Sequence, residues 1–149
     1  MNLGKQIFNI SSDKEFENLT LETFQYQYHR VKVYQDFCKH LNTNPTSVKS
    51  IYEIPFLPIQ FFKSHQILTE NSNYEAIFTS SGTTGSVTSK HFVSDLEIYN
   101  ESFSKAFNLF FETPENITIL ALLPNYLERK GSSLIYMVDE LIQQGKNHN

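Results

Sequence analysis

Two prolines placed three residues apart divide this chain. Pro55 and Pro58 lie inside its most aromatic and aliphatic stretch, Ser50 to Phe62, where Ile54, Phe56, Leu57, Ile59, Phe61 and Phe62 would otherwise favour a buried helix. Proline has no N–H to donate and pushes the residue before it toward extended geometry, so a regular helix is excluded there. The reading is an extended segment that lays its apolar side chains over a core formed elsewhere, with Lys63 at a solvated edge.

Ahead of that segment the first 44 residues read as helical. Ser12 and Glu15 have capping-box spacing, and Phe24, Tyr28, Val31, Tyr34, Cys38 and Leu41 recur every three or four residues as one apolar face. Asn42, Asn44 and Pro45 end the helix. Beyond the prolines, Tyr74–Thr79 is a strand candidate, with a shorter piece near Ile67, and Ser94-Asp95-Leu96-Glu97 opens a second helix in capping-box form. Its stripe is Leu96, Tyr99, Phe103, Ala106 and Phe110, and Thr113-Pro114 stops it. Ile117–Leu123 is a continuous apolar run, the pattern of a strand covered on both faces. Pro124 ends it, and a third helix runs from about Ser132 to Gln144 with Leu134, Met137, Val138, Leu141 and Ile142 inward. The tail after it, Gly145 to Asn149, is polar. This order predicts an α/β fold with helices over a mixed sheet.

Composition supports a folded core: of 149 residues 40% are hydrophobic and 14% aromatic, enough to offset the ordering entropy of the chain. The 12 basic and 16 acidic residues give a net charge of −4, the opposite of the balance that nucleic-acid binding favours. A single cysteine, Cys38, excludes an internal disulfide and a cysteine-based zinc site. No apolar run approaches the roughly 18 residues of a membrane span, and Met1–Ile10 lacks the apolar core of a signal peptide. A cytoplasmic protein is the expectation.

Chemistry concentrates between Thr79 and Ser86. Thr79-Ser80-Ser81-Gly82-Thr83-Thr84-Gly85 carries five hydroxyls and two of the chain's five glycines. Glycine permits close backbone approach, successive N–H groups can form an anion-binding concavity, and hydroxyls add uncharged donors. The same residues also make an ordinary polar turn. The segment is neither a Walker loop nor a dinucleotide fingerprint, whose glycine and lysine spacings it lacks.

Ser80-Ser81-Gly82-Thr83-Thr84-Gly85 resembles the phosphate-binding signature of adenylate-forming enzymes. Within that superfamily the chain is similar to the acyl-protein synthetases of the bacterial luminescence fatty-acid reductase and their relatives. Ile54-Pro55-Phe56-Leu57-Pro58-Ile59-Gln60-Phe61-Phe62-Lys63, the doubled serine before Gly82, and Leu123-Pro124 after the apolar run carry the likeness, which extends over about Ser50 to Gln144. It implies a partial N-terminal domain over residues 1–149, with a helical lead-in at 1–49 and a phosphate-loop α/β region at 50–144. It further implies an ATP- and Mg²⁺-dependent reaction in which a carboxylic acid, fatty in this branch, becomes an acyl-adenylate and passes to a thiol. The expected phosphate contacts are Ser80, Ser81, Gly82, Thr83, Thr84, Gly85 and Lys90. Val87 and Thr88 stand where most of the superfamily has proline and lysine, which leaves Lys90 as the basic candidate.

The aromatic nucleotide-binding segment, the ribose-binding aspartate and the C-terminal lysine of such enzymes have no counterpart here, so this chain by itself is expected to be inactive. Its partners would be a small carboxylate and an acyl-accepting protein or a further C-terminal part. The alternative is a non-catalytic phosphate-binding or protein-interaction module of the same fold. Cys38 on an apolar helical face is expected to be a packing residue, and His29, His40 and His148 make no metal-ligand spacing. His91 beside Lys90, and Arg129 within Glu128-Arg129-Lys130-Gly131, are candidates for phosphate or substrate contact weighed against simple exposure to solvent.

Overall fold

Helical periodicity dominates the first half of the chain, and helices dominate it in the computed structural model, which describes residues 3–81, 87–123 and 131–145. The chain divides into two compact units, Met1–Asn73 and Tyr74–Asn149.

The first unit is built on α1 (Leu3–Gln6), a 3-10 turn at Ile7–Asn9, α2 (Asp13–Arg30) and α3 (Lys32–His40). Ser12 caps α2 through its hydroxyl, which accepts the Glu15 N–H at 3.3 Å. The Glu15 carboxylate reaches one residue further back than a standard box, accepting the Ser11 N–H at 2.8 Å. The expected single long helix is two. Val31, at φ −112° and ψ 99°, leaves helical geometry, and the chain re-enters a helix at Lys32. The break preserves the apolar face: Phe24, Tyr28, Val31, Tyr34 and Cys38 are all buried, joined by Val48. Leu41 is instead exposed, because α3 ends at His40 and Asn42 takes a left-handed φ of 57° that turns the chain away.

A 3-10 turn at Ile51–Glu53 begins the proline segment, and its full capping box between Ser50 and Glu53 was not expected. Ile54 and Leu57 then pack on the helical core, while the Tyr34 hydroxyl donates to the Pro55 carbonyl at 2.7 Å. Phe56 and Ile59 project into solvent, so only part of the segment's apolar content covers the core. A single turn, α4 (Phe61–Ser64), sets Phe61 against Phe37 with ring centroids 5.6 Å apart. Ile67 joins this core without forming a strand.

In the second unit β1 (Ala76–Thr79) pairs antiparallel with β2 (Lys90–Val93), from Ala76 opposite Val93 to Thr79 opposite Lys90. The sheet of the described residues is thus a two-stranded hairpin rather than a mixed sheet. α5 (Leu96–Phe110) follows, capped by Asp95 rather than Ser94. The Asp95 carboxylate accepts the Ile98 N–H at 3.2 Å, and Glu75, just ahead of β1, accepts the Leu96 N–H at 2.7 Å. After a 3-10 turn at Pro114–Asn116, α6 (Ser133–Gln144) starts at Ser132, whose hydroxyl accepts the Ile135 N–H. Phe78 of β1, Tyr99 and Phe103 of α5 and Tyr136 of α6 stack as an aromatic cluster, with Phe78 and Tyr99 centroids 5.0 Å apart.

Three expected burials fail. Ala106 and Phe110 are exposed because only the first turns of α5 meet the cluster. Leu134 is exposed and Ile135 takes its inward place. Ile117–Leu123 forms no ladder among the described residues. Ile117 and Ile119 are half-buried and share a small cavity with Leu141 and Ile142 of α6, but Leu120 is 92% exposed and Leu122 is fully exposed. Exposure alternates over Ile117–Leu120 and is continuous over Ala121–Leu123, and the run is not a strand of the described sheet. The polar tail beyond Gly145 lies outside the described residues. Among the described residues no helix is long and apolar enough to cross a membrane.

Candidate functional site

The hydroxyl-rich loop joins the two strands of the hairpin and does not lead directly into a helix. β2 occupies the stretch that the sequence suggested was still loop. Four residues with Lys90 and His91 at their start carry little alternation, so the strand becomes visible only through its pairing with β1. This pairing sets where the loop starts and ends.

Its stem is clasped by two hydrogen bonds. The Ser80 N–H donates to the Ser89 carbonyl at 3.1 Å, and the Ser89 N–H donates to the Ser80 hydroxyl at 3.0 Å. Ser80 is therefore a closing residue whose hydroxyl already serves the loop, and Ser81, exposed beside it, is the first side chain at the mouth. Gly82, Thr83, Thr84, Gly85 and Ser86 lie outside the described residues. Lys90 stands on β2 opposite Thr79, at the foot of the loop, with its side chain exposed. The structure thus brings Ser80, Ser81 and Lys90 to one end of the hairpin. A cation and a hydroxyl there fit an anionic phosphate.

Two residues of this end escaped the sequence reading. Ser89 is 6% exposed, the one buried polar residue among those described, and its hydroxyl lies 3.1 Å from the His91 Nε2. His91 is accordingly half-buried and engaged with the stem, instead of facing solvent beside Lys90. Gly131 is the second. Its carbonyl accepts the Thr79 N–H at 2.8 Å, fixing the last residue of β1 on the side away from β2. Its φ is +87°, and a Cβ at this position would lie 3.2 Å from the Thr79 hydroxyl and 3.4 Å from the Ile77 carbonyl oxygen. The signal was present as a glycine immediately before a capping serine. Arg129, two residues earlier, lies outside the described residues, as does His148.

Cys38 is fully buried, and burial raises its thiol pKa above the ordinary value of 9.0. It has neither the exposure nor the lowered pKa of an acyl-accepting thiol. His29 stacks edge-on to Tyr28, and the His40 Nδ1 meets the Asp36 carbonyl at 2.7 Å. No group of three or more metal-ligating side chains converges among the described residues.

Comparison with known proteins gives a consistent picture. The profile of the acyl-protein synthetase family LuxE matches residues 5–109, which include the proline segment, the hairpin, its loop and most of α5. A long-chain-fatty-acid–luciferin-component ligase of Vibrio harveyi is 33% identical over 82 residues, 54% of this chain and 21% of that protein. A ligase of the same description from Photorhabdus luminescens is 34% identical over 74 residues, 49% of this chain and 63% of that protein. The matches thus span about a fifth of one relative's length and under two thirds of the other's. No solved structure is a significant match.

Proposed function

Because the chain belongs to the acyl-protein synthetase (LuxE) family, we propose that it forms the phosphate-loop portion of a ligase that activates a long-chain fatty acid with ATP and transfers the acyl group to a protein thiol. The observation that carries this reading is the stem of the loop. Paired strands and the double Ser80–Ser89 clasp hold a Gly- and hydroxyl-rich segment by both ends.

The loop's role is positional and electrostatic. In the adenylation step the fatty carboxylate oxygen attacks the α-phosphorus of ATP. The bond from that phosphorus to the bridging oxygen breaks, and pyrophosphate departs with the electron pair. Donors fixed in advance stabilise charge that grows on the leaving group without reorganising at that moment. Ser81, Thr83 and Thr84 provide hydroxyl donors, Gly82 and Gly85 admit the phosphates close to backbone N–H groups, and Lys90 supplies a positive charge. Ser80 and Ser89 act one step back, by holding the loop's ends. Magnesium, when bound, shares the neutralisation of the phosphates. The chain's architecture on this reading is the N-terminal portion of the adenylate-forming fold.

Binding of MgATP to the chain, followed by calorimetry, tests the loop. The expected result is saturable binding weakened at least tenfold by Gly82→Ala and by Lys90→Ala, with folding unchanged by circular dichroism. Fatty-acid-dependent pyrophosphate–ATP exchange by the 149 residues alone is expected to match a protein-free blank. Binding insensitive to both substitutions overturns the phosphate role, and exchange well above the blank overturns the division of the activity between these residues and others.

A further inference from the structure

The first unit contains an open apolar groove of about 490 Å³, walled by α2 on one side and by the proline segment on the other. This volume lies within the ~300–1,000 Å³ range of small-molecule sites. No charged side chain lines it. Four polar side chains line it: Thr23 donates to the Leu19 carbonyl at 2.8 Å and Tyr34 to the Pro55 carbonyl, while Thr20 and Gln27 stand on the α2 wall. The other twelve lining residues are apolar, including Ile10, Leu19, Phe56 and Phe62. A ligand bearing polar groups along its length would lose their hydration there with only the α2 wall, at Thr20 and Gln27, to replace it. A plain polymethylene chain loses nothing of the kind.

Charge also orients such a ligand. A second hollow shares Ile10 and Leu19 with the groove and carries Glu15 and Glu22. The Glu15 carboxyl is held below its ordinary pKa by the backbone N–H and hydroxyl of Ser11, so that end is anionic at neutral pH. A carboxylate is repelled from it.

We infer that this groove seats the aliphatic chain of a fatty acid, with its methyl end toward Ile10 and Leu19 and its carboxylate toward the Phe56–Phe62 side. The inference rests on the ligase reading above for its choice of ligand. The family match, residues 5–109, encloses every residue of the groove, and both relatives are described as ligases of long-chain fatty acids.

Displacement of the fluorescent fatty acid cis-parinarate from the 149-residue chain, below micellar concentrations, tests it with octanoate, decanoate, dodecanoate and tetradecanoate. Affinity is expected to rise up to about fourfold per added methylene. Phe56→Asp and Ile10→Asp change side chains that are already exposed, at 80% and 37%, so the unit should still fold, and each should weaken tetradecanoate at least tenfold. Phe110→Asp, an equally exposed apolar residue of the other unit, should leave binding unchanged. No displacement, affinity independent of chain length, or equal loss in Phe110→Asp overturns the inference. So does a finding that Phe56→Asp only converts a dimer to a monomer, which would make a second copy the occupant. Calorimetry with MgATP on the same samples separates the two readings. Lost fatty-acid binding with intact nucleotide binding removes the groove alone. Chain-length-dependent fatty-acid binding without nucleotide binding keeps the groove and removes the ligase reading.

Discussion

Cys38 and Gly131 show how single residues acquire a role from their surroundings. Desolvation disfavours the Cys38 thiolate, the reactive form of a thiol, and Tyr34 and Phe24 pack the same core. Alkylation by iodoacetamide at pH 8 is therefore expected to be negligible in the native chain and complete in denaturant, as read by intact mass. Rapid native labelling would show that the first core opens readily. Gly131 is constrained from the opposite direction, since its left-handed backbone strains any side chain and a Cβ there would crowd Thr79. Gly131→Ala should cost about 1–3 kcal/mol of stability in the second unit. It should also weaken MgATP by loosening the end of β1. A variant with unchanged thermal midpoint and unchanged nucleotide affinity would remove Gly131 from the positioning of the loop.

Elements in this protein are set by their ends more than by their middles. α2 and α3 share one apolar face across a break at Val31, so burial, rather than helical continuity, dictates which side chains face inward. The turn at Ile51–Glu53 is held by its capping box. The Glu53 carboxylate accepts the N–H of Lys49 at 2.8 Å and of Ser50 at 3.1 Å, and these bonds, Lys49 first, lower its pKa from 4.5. A lowered folded-state pKa stabilises the fold above the unfolded value of 4.5, and that contribution is lost as pH falls through the lower folded value. Acid unfolding should therefore lose part of its pH dependence below 4.5 in Glu53→Gln, measured by far-UV circular dichroism melts across the acid range. An unaltered acid limb would show that the box has no weight in stability.

At the scale of the whole molecule, exposed apolar surface is the unbalanced feature. Leu109, Phe110 and Phe111 at the end of α5, and Leu120 and Leu122 in the apolar run after it, are all exposed in the second unit. Burying such surface is favourable at ~25 cal/mol per Å², and contiguous exposed apolar side chains mark a surface for association. Sedimentation velocity is expected to show association growing with concentration, reduced by Leu120→Lys together with Leu122→Lys. A single monomeric species across tens of micromolar would overturn this expectation. The sequence by itself determined the elements whose signal is local. The helical lead-in and its buried face follow from periodicity, the extended proline segment from Pro55 and Pro58, the strand before the loop from Tyr74–Thr79, and the last helix from its spacing. The loop itself was legible as composition, because glycines and hydroxyls announce their chemistry without reference to partners. Only the tertiary structure decided that Lys90 begins a strand, that Ser80 and Ser89 close the loop, and that Gly131 braces β1. Each of these depends on a hydrogen-bond partner 9 to 52 residues away. Hydrophobic patterning reports which side chains avoid water, but a strand is completed by backbone groups, which the side-chain pattern does not record.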